Sequence, residues 1–190
     1  MKKIAIFASG SGTNAQNIIA FFEKDNSAEV VLVLSNNPKA IVLERAKQHQ
    51  VQTCVFDSAQ LESETGVLNT LLSHEIEFIV LAGFLWKFPK ALLGHFGGKV
   101  INIHPSLLPK YGGKGMYGEH VHRAVIKHKE KSSGITIHYV NEHYDDGAVI
   151  FQAECPVLPR DTAEDLAKKV HALEQQYFPK IIKKLIVTNG

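Results

Sequence analysis

Five short strand-like runs recur through the first 103 residues, and helical patterns fill the gaps between them. The runs occupy residues 3–8, 30–34, 52–56, 78–82 and 100–103. Residues 15–22, 40–49 and 64–74 space their apolar positions as helices do, the last with Leu68, Leu71 and Leu72 on one face. The runs lack the polar alternation of a strand with one face in water. Strands covered on both faces read as near-continuous apolar stretches, and parallel neighbours need long, usually helical, crossovers. The pattern therefore predicts an α/β fold: a doubly wound, mostly parallel sheet with helices on both faces.

The pattern changes after Pro105. A glycine-rich loop, KYGGKGMYG, leads into a helix-like segment over 120–127. Two longer strand patterns, 134–140 and 148–157, flank NEHYDDG and predict a β-hairpin added to the sheet in the C-terminal half. Residues 162–186 form a long amphipathic pattern interrupted by Pro179. No linker, repeat or low-complexity stretch divides the chain, so one domain over residues 1–190 is expected.

Composition narrows the function. The chain is 45% hydrophobic and 21% charged, enough to bury a core without covalent staples. A net charge of +2 offers no basic field for nucleic acid and no affinity for a membrane surface. No run approaches the roughly 18 apolar residues of a membrane span, and the opening MKKIAIFASG is too short in its apolar part for a secretion signal. Of the ten histidines only His120 and His122 stand close together, with no acidic or cysteine partner at metal-ligand spacing, so no metal is expected. Cys54 and Cys155 lie in apolar strand-like runs and read as free thiols in a reducing, cytoplasmic setting.

Three clusters could carry chemistry. The first is SGSGTN, residues 9–14, between the first strand and the first helix. Glycines there let backbone N–H groups turn toward a ligand, and the helix start adds partial positive charge, which suits a phosphate. A plain tight turn with Thr13 or Asn14 as helix cap is the alternative. The dinucleotide fingerprint is absent: Gly10 and Gly12 are followed by Thr13, Asn14 and Ala15, and the second strand ends in Ser35, Asn36 and Asn37 without an acidic residue.

The second is INIHPSLLP, residues 101–109. Side chains two apart on a strand share a face, so Asn102 and His104 point the same way at the strand's carboxyl end, where open α/β sheets bind ligands. A neutral amide donor and an imidazole together can stabilise an oxyanion; equally, they can satisfy loop backbone and core carbonyls. The third is YDDG, residues 144–147. It is either a tight turn or the source of a carboxylate that would raise the pKa of His104 and favour the imidazolium.

The three clusters occur together and in order, alongside SNNP after the second strand, LAGF before Leu85, HYVNEHYDDGAVI and LEQQYFP. Over nearly the whole chain that set resembles the phosphoribosylglycinamide formyltransferases of the folate-dependent formyltransferase family. The resemblance implies formyl transfer from 10-formyltetrahydrofolate, as co-substrate and without a metal, to the amine of glycinamide ribonucleotide in purine biosynthesis. It implies a phosphate-binding half over about residues 1–100 and a catalytic, folate-binding half over about 101–190. Gly12, Thr13 and Asn14 match the phosphate loop, and Glu174 matches a glutamate that contacts the glycinamide substrate. Asn102, His104 and Asp145, rather than Asp146, match the catalytic trio. Leu85, Trp86, Lys87 and Phe88 match the folate-pocket segment, with Asn102 and the stretch from Asn141 to Asp145 opposite. The family often has Met-Arg-Ile-Leu where this chain has Leu85 to Phe88. Its loop after Tyr111 commonly runs into Pro-Gly and a His-x-His that His120 and His122 match. Lys114, in the longer loop here, has the length to reach a phosphate or the folate tail, but a solvated loop lysine is the stronger reading. Both partners are then small molecules, and the protein a monomer or homodimer. A methionyl-tRNA formyltransferase would carry a further C-terminal domain and a basic surface. A formyltetrahydrofolate deformylase would carry an extra N-terminal domain. A nucleotide-sensing module would need no converging Asn, His and Asp.

Overall fold

The computed structural model describes residues 1–63 and 65–188. The chain runs β1 (Lys2–Phe7), α1 (Thr13–Asp25), β2 (Ala28–Ser35), α2 (Ile41–Gln48), β3 (Gln52–Val55), α3 (Ser58–Glu62), α4 (Val67–Ser73), β4 (Phe78–Leu81), α5 (Lys90–Phe96), β5 (Val100–His104), α6 (Glu119–Lys127), β6 (Ser132–Tyr139), β7 (Val149–Pro156) and α7 (Ala163–Thr188). All seven strands join one sheet in the order β3-β2-β1-β4-β5-β6-β7. The first five are parallel; β6 and β7 add antiparallel at the β5 edge. This is the expected doubly wound sheet with its added hairpin.

Alternate side chains of the inner strands enter two different cores. Ile4 and Ile6 of β1, Phe78 and Val80 of β4, and Ile101 and Ile103 of β5 face α1, α6 and α7. Ala5, Phe7, Ile79, Leu81 and Val100 face α4 and α5. With both faces buried, the strands have no use for polar residues, which is why their sequences show no alternation.

Three helical features depart from expectation. The helix expected over 64–74 is resolved as α4 alone, preceded by a separate turn, α3, with an Asp57–Gln60 capping box; Glu64 lies outside the described residues. Residues 90–96 form α5, a seven-residue helix too short and too glycine-interrupted to show a period. Pro179 does not end α7. Burial of Leu166, Val170, Phe178, Pro179, Ile182 and Ile186 offsets the cost of an interior proline, about 3 kcal/mol. No helix among the described residues is long and apolar enough to cross a membrane.

The strand order reverses at β1, with β2 on one side and β4 on the other. A crevice opens there beyond the carboxyl ends of the strands, and the β5–β6 edge extends it.

Candidate active site

A cleft of about 830 Å³ runs along that carboxyl edge. Its walls include Gly10 to Asn14 at one end, Asn102 and His104 in the middle, and Leu85, Tyr144 and Asp145 beyond them; α7 contributes His171 and Glu174. The amino-terminal glycine turn and the Asn-His pair therefore open into one space.

The turn leaves the helix start open. Helix α1 starts at Gly12, which sits in the left-handed region (φ 73°), and no side chain caps the helix. No acidic residue occupies the first turn. A Cβ on Gly12 would lie 2.3 Å from Cγ2 and 2.7 Å from Cα of Val42. Glycine is thus required twice, by the backbone angle and by the approach of α2. Neither Thr13 nor Asn14 serves as the cap that the plain-turn alternative needs. Asn14 instead donates to Glu174 Oε2 (2.9 Å) and accepts from Gln175 Nε2 (3.1 Å), which ties α1 to α7. Glu174 Oε2 also meets His171 Nδ1 at 3.2 Å, and that hydrogen bond to the carboxylate raises the pKa of His171. The buried Ser9 hydroxyl donates to Asn36 Oδ1 (2.7 Å) and accepts from the N–H of Leu85 (3.0 Å), so the SGSGTN, SNNP and LAGF segments are held together by one side chain.

The middle of the cleft is a polar cluster under the hairpin. Antiparallel pairing sets His138 of β6 directly opposite Asn102 of β5. His138 Nδ1–H donates to the Tyr139 carbonyl (2.8 Å), which leaves Nε2 as an acceptor for Asn102 Nδ2 (3.1 Å). The amide of Asn102 is thereby oriented with its N–H groups toward Asp145, whose Oδ1 lies 3.4 Å away. Asp145 Oδ2 accepts the Gly113 N–H (2.9 Å) and stands 3.4 Å from His104 Nδ1. His104 Nε2–H donates to the Tyr111 carbonyl at 2.7 Å.

Asp145 adopts the left-handed conformation (φ 53°), which a short polar side chain tolerates, and this turns its carboxylate into the cluster. Gly147 has no room for a side chain: a Cβ would lie 1.6 Å from the Tyr139 carbonyl oxygen. The hairpin tip is thus clamped against β6 just beyond Asp145. Asp146 is exposed and takes part in none of these contacts.

Burial raises the pKa of the Asp145 carboxyl, but His138, His104 and the Gly113 N–H outweigh it, and the group is held below the usual carboxylate range. For His104 the balance is the reverse of the expectation from sequence. Asp145 favours the imidazolium, yet desolvation of a ring 3% exposed is larger, and the pKa falls below 6.5. Burial thus disfavours the imidazolium of His104, while its neighbours favour the ionised form of Asp145.

The residues expected at the folate end divide. Leu85 lines the cleft; Trp86, Lys87 and Phe88 do not. Phe88 is buried against the Phe7 ring, 5.4 Å between centroids, so its side chain belongs to the core. Trp86 packs edge-on to Phe56 (6.2 Å), and Lys87 projects into solvent. One side chain in this run faces the sheet, and periodicity alone does not say which. Asn141 folds back to accept the His143 N–H (2.9 Å) and forms a local turn outside the cleft lining. His138, His171 and the buried His122 were not singled out as site residues by sequence reasoning. The packing of α6 and α7 brings His122 and His171 to the cleft, and the strand register sets His138 against Asn102, outside the lining.

A family model described as "Formyl transferase" matches residues 2–182. The chain belongs to the formyl transferase family. It is 37% identical over 195 residues to the phosphoribosylglycinamide formyltransferase of Bacillus subtilis, covering 100% of this chain and 97% of that one. It is 39% identical over 188 residues to the enzyme of the same name from Haemophilus influenzae, covering 96% and 86%. Among solved structures, the phosphoribosylglycinamide formyltransferase of Bacillus halodurans superposes with a TM-score of 0.88 at 37% identity, covering 100% of this chain and 97% of that one.

Proposed function

We propose that the protein transfers the formyl group of 10-formyltetrahydrofolate to the primary amine of glycinamide ribonucleotide. One observation carries the assignment of roles: Asn102, His104 and Asp145 meet at the middle of a cleft that also contains the uncapped start of α1.

In this reading the N–H groups of the first turn of α1 hold the phosphate, and Glu174, fixed by Asn14, faces the glycinamide portion. The neutral amine attacks the formyl carbon, a C–N bond forms, and the carbonyl electron pair moves onto oxygen. Asn102 donates to that oxygen. Its 3.4 Å contact to Asp145 is long and is the one the formyl oxygen replaces, while the 3.1 Å bond to His138 keeps the amide oriented. His104, neutral at the start, takes the proton the amine must lose. Asp145, already ionised, stabilises the imidazolium beside it. The proton then passes to the folate nitrogen as its bond to the formyl carbon breaks, directly or through water. Alignment of two bound substrates adds to this, since orientation alone is worth roughly 7–11 kcal/mol in favourable cases. Leu85 and Tyr144 flank the folate end. The proposal keeps both partners small molecules and the protein a cytoplasmic monomer or homodimer built as one domain.

The test is to incubate the protein with 10-formyltetrahydrofolate and, in turn, glycinamide ribonucleotide, methionyl-tRNA or no acceptor, and to follow free tetrahydrofolate. Release is expected with the ribonucleotide alone. Release without acceptor, or with the tRNA, overturns the assignment.

A further inference from the structure

We propose that Lys114 is the cation that binds the phosphate of the ribonucleotide, reaching it across the mouth of the cleft; the proposal deepens the formyltransferase reading and rests on it. The cleft is poor in positive charge. Its lining holds four carboxylates, Glu119, Asp145, Glu164 and Glu174, and a single lysine or arginine, Lys114. Glu119 and Glu164 are each paired with a cation of their own helix, Arg123 (2.6 Å) and Lys168 (2.9 Å), neither of which lines the cleft. As cations Asp145 and Glu174 face histidines only among the described residues, His104 (3.4 Å) and His171 (3.2 Å) nearest, neither of which is a permanent cation. A phosphate monoester brings a charge of about −1.5 to −2 at pH 7, whereas a helix start offers only about +0.5. Backbone N–H groups can orient the phosphate but do not balance it.

The course of the chain puts Lys114 in reach. The N–H of Gly113 is held on Asp145, and four residues beyond Lys114 the chain enters α6 at Gly118, its N-cap. Helix α6 packs on α7, whose Glu174 is bonded to Asn14 of the phosphate turn. Residues 113–118 therefore cross from the catalytic carboxylate toward the wall that carries Asn14. Lys114 is exposed at the rim and has no ion pair or hydrogen bond to its side chain among the described residues. The flanking Gly113 and Gly115 (φ 97° and 86°) both take left-handed backbone angles, and a Cβ on either would meet nothing within 4 Å. The folate end has lysines of its own. Lys90 pairs with Glu142 (2.6 Å) on the outer side of the hairpin, with Lys87 beside it. Neither lines the cleft, which leaves Lys114 as its one lysine or arginine among the described residues.

The probe is ribose 5-phosphate, titrated calorimetrically into wild type, Lys114→Gln and Lys114→Arg, alongside kinetics with glycinamide ribonucleotide. Lys114→Gln should weaken ribose 5-phosphate roughly 10-fold or more, as expected for one charge-assisted bond. The ribonucleotide KM should rise in step, with kcat and the folate KM nearly unchanged and the melting temperature intact. Lys114→Arg should restore most of the affinity. Unchanged ribose 5-phosphate affinity in Lys114→Gln, a rise in the folate KM instead, or no binding of the probe to wild type at millimolar concentration each overturns the proposal. Lys114-dependent binding of the probe, without product from any acceptor, would instead leave this site standing and refute the formyltransferase reading.

Discussion

Replacing Asp145 by Asn removes one charge and little else. Asparagine tolerates the left-handed backbone at this position (φ 53°), and its Oδ1 can still accept the Gly113 N–H now bonded at 2.9 Å. The melting temperature should therefore stay within a few degrees of wild type. What is lost is support for the imidazolium that forms during the reaction. A unit charge 3.4 Å from His104 Nδ1 is worth up to about 5 kcal/mol at an effective dielectric constant of 20. Allowing for residual solvent at a carboxylate 12% exposed, about 3–4 kcal/mol should appear in the barrier, a fall in kcat of roughly 10²–10³. Since burial disfavours the imidazolium, the charge matters mainly when His104 takes up a proton during the reaction, and KM for both substrates should move far less than kcat. The exposed neighbour supplies the control: Asp146→Asn should leave turnover within about twofold, as surface changes usually do. Steady-state kinetics of the two variants decide the matter. If Asp146→Asn is the more damaging, or if Asp145→Asn keeps a third of wild-type turnover, the carboxylate assignment and its electrostatic role are wrong.

Asn102→Ala should lower kcat about 10²–10³-fold while barely changing affinity for the ribonucleotide, because an oxyanion donor acts mainly in the transition state; near-normal turnover would remove it from that role. Gly12→Ala places a Cβ 2.3 Å from Val42 and forces a left-handed alanine, so a loss of about 2–4 kcal/mol in a denaturant titration is expected together with a raised ribonucleotide KM. An unchanged titration midpoint would mean that α2 yields freely. The pH dependence follows from burial. The folded-state pKa of His104 and of His122 lies below 6.5, so the unfolded chain binds more protons as pH falls past 6.5, and their contribution to stability is lost toward acid. His171, raised by Glu174 and partly exposed, contributes in the opposite sense: its stabilisation is present below 6.5 and lost as pH rises through its folded pKa. Melting temperatures should fall from pH 7 to pH 5, and the acid limb of kcat/KM should lie below pH 6.5. An acid limb above that value would show that burial does not control His104.

Local pattern was enough to specify the scaffold and much of the cleft. Continuous apolar runs separated by helical spacing imply a sheet buried on both faces, and a glycine turn after the first strand implies backbone N–H groups free for an anion. Asn102 and His104 share a face because a strand alternates, whatever surrounds it. These are short-range consequences of backbone geometry: the sheet, the uncapped helix start, and Asn102 and His104 opening into one cleft are all present in the structure.

Tertiary structure decided the rest, because it depends on groups far apart in the chain. The motif resemblance chose Asp145 over Asp146, but the physical reason is tertiary: the clamp of Gly147 against Tyr139 and the left-handed turn. His138 became the residue that aims Asn102 only through the β5–β6 register. Phe88 left the expected folate wall because the sheet face beside Phe7 required an aromatic filler. Burial lowers the pKa of His104 by more than a carboxylate 3.4 Å away raises it. Dihedral preference and side-chain period are properties of neighbours in sequence; desolvation, register and close packing are properties of neighbours in space.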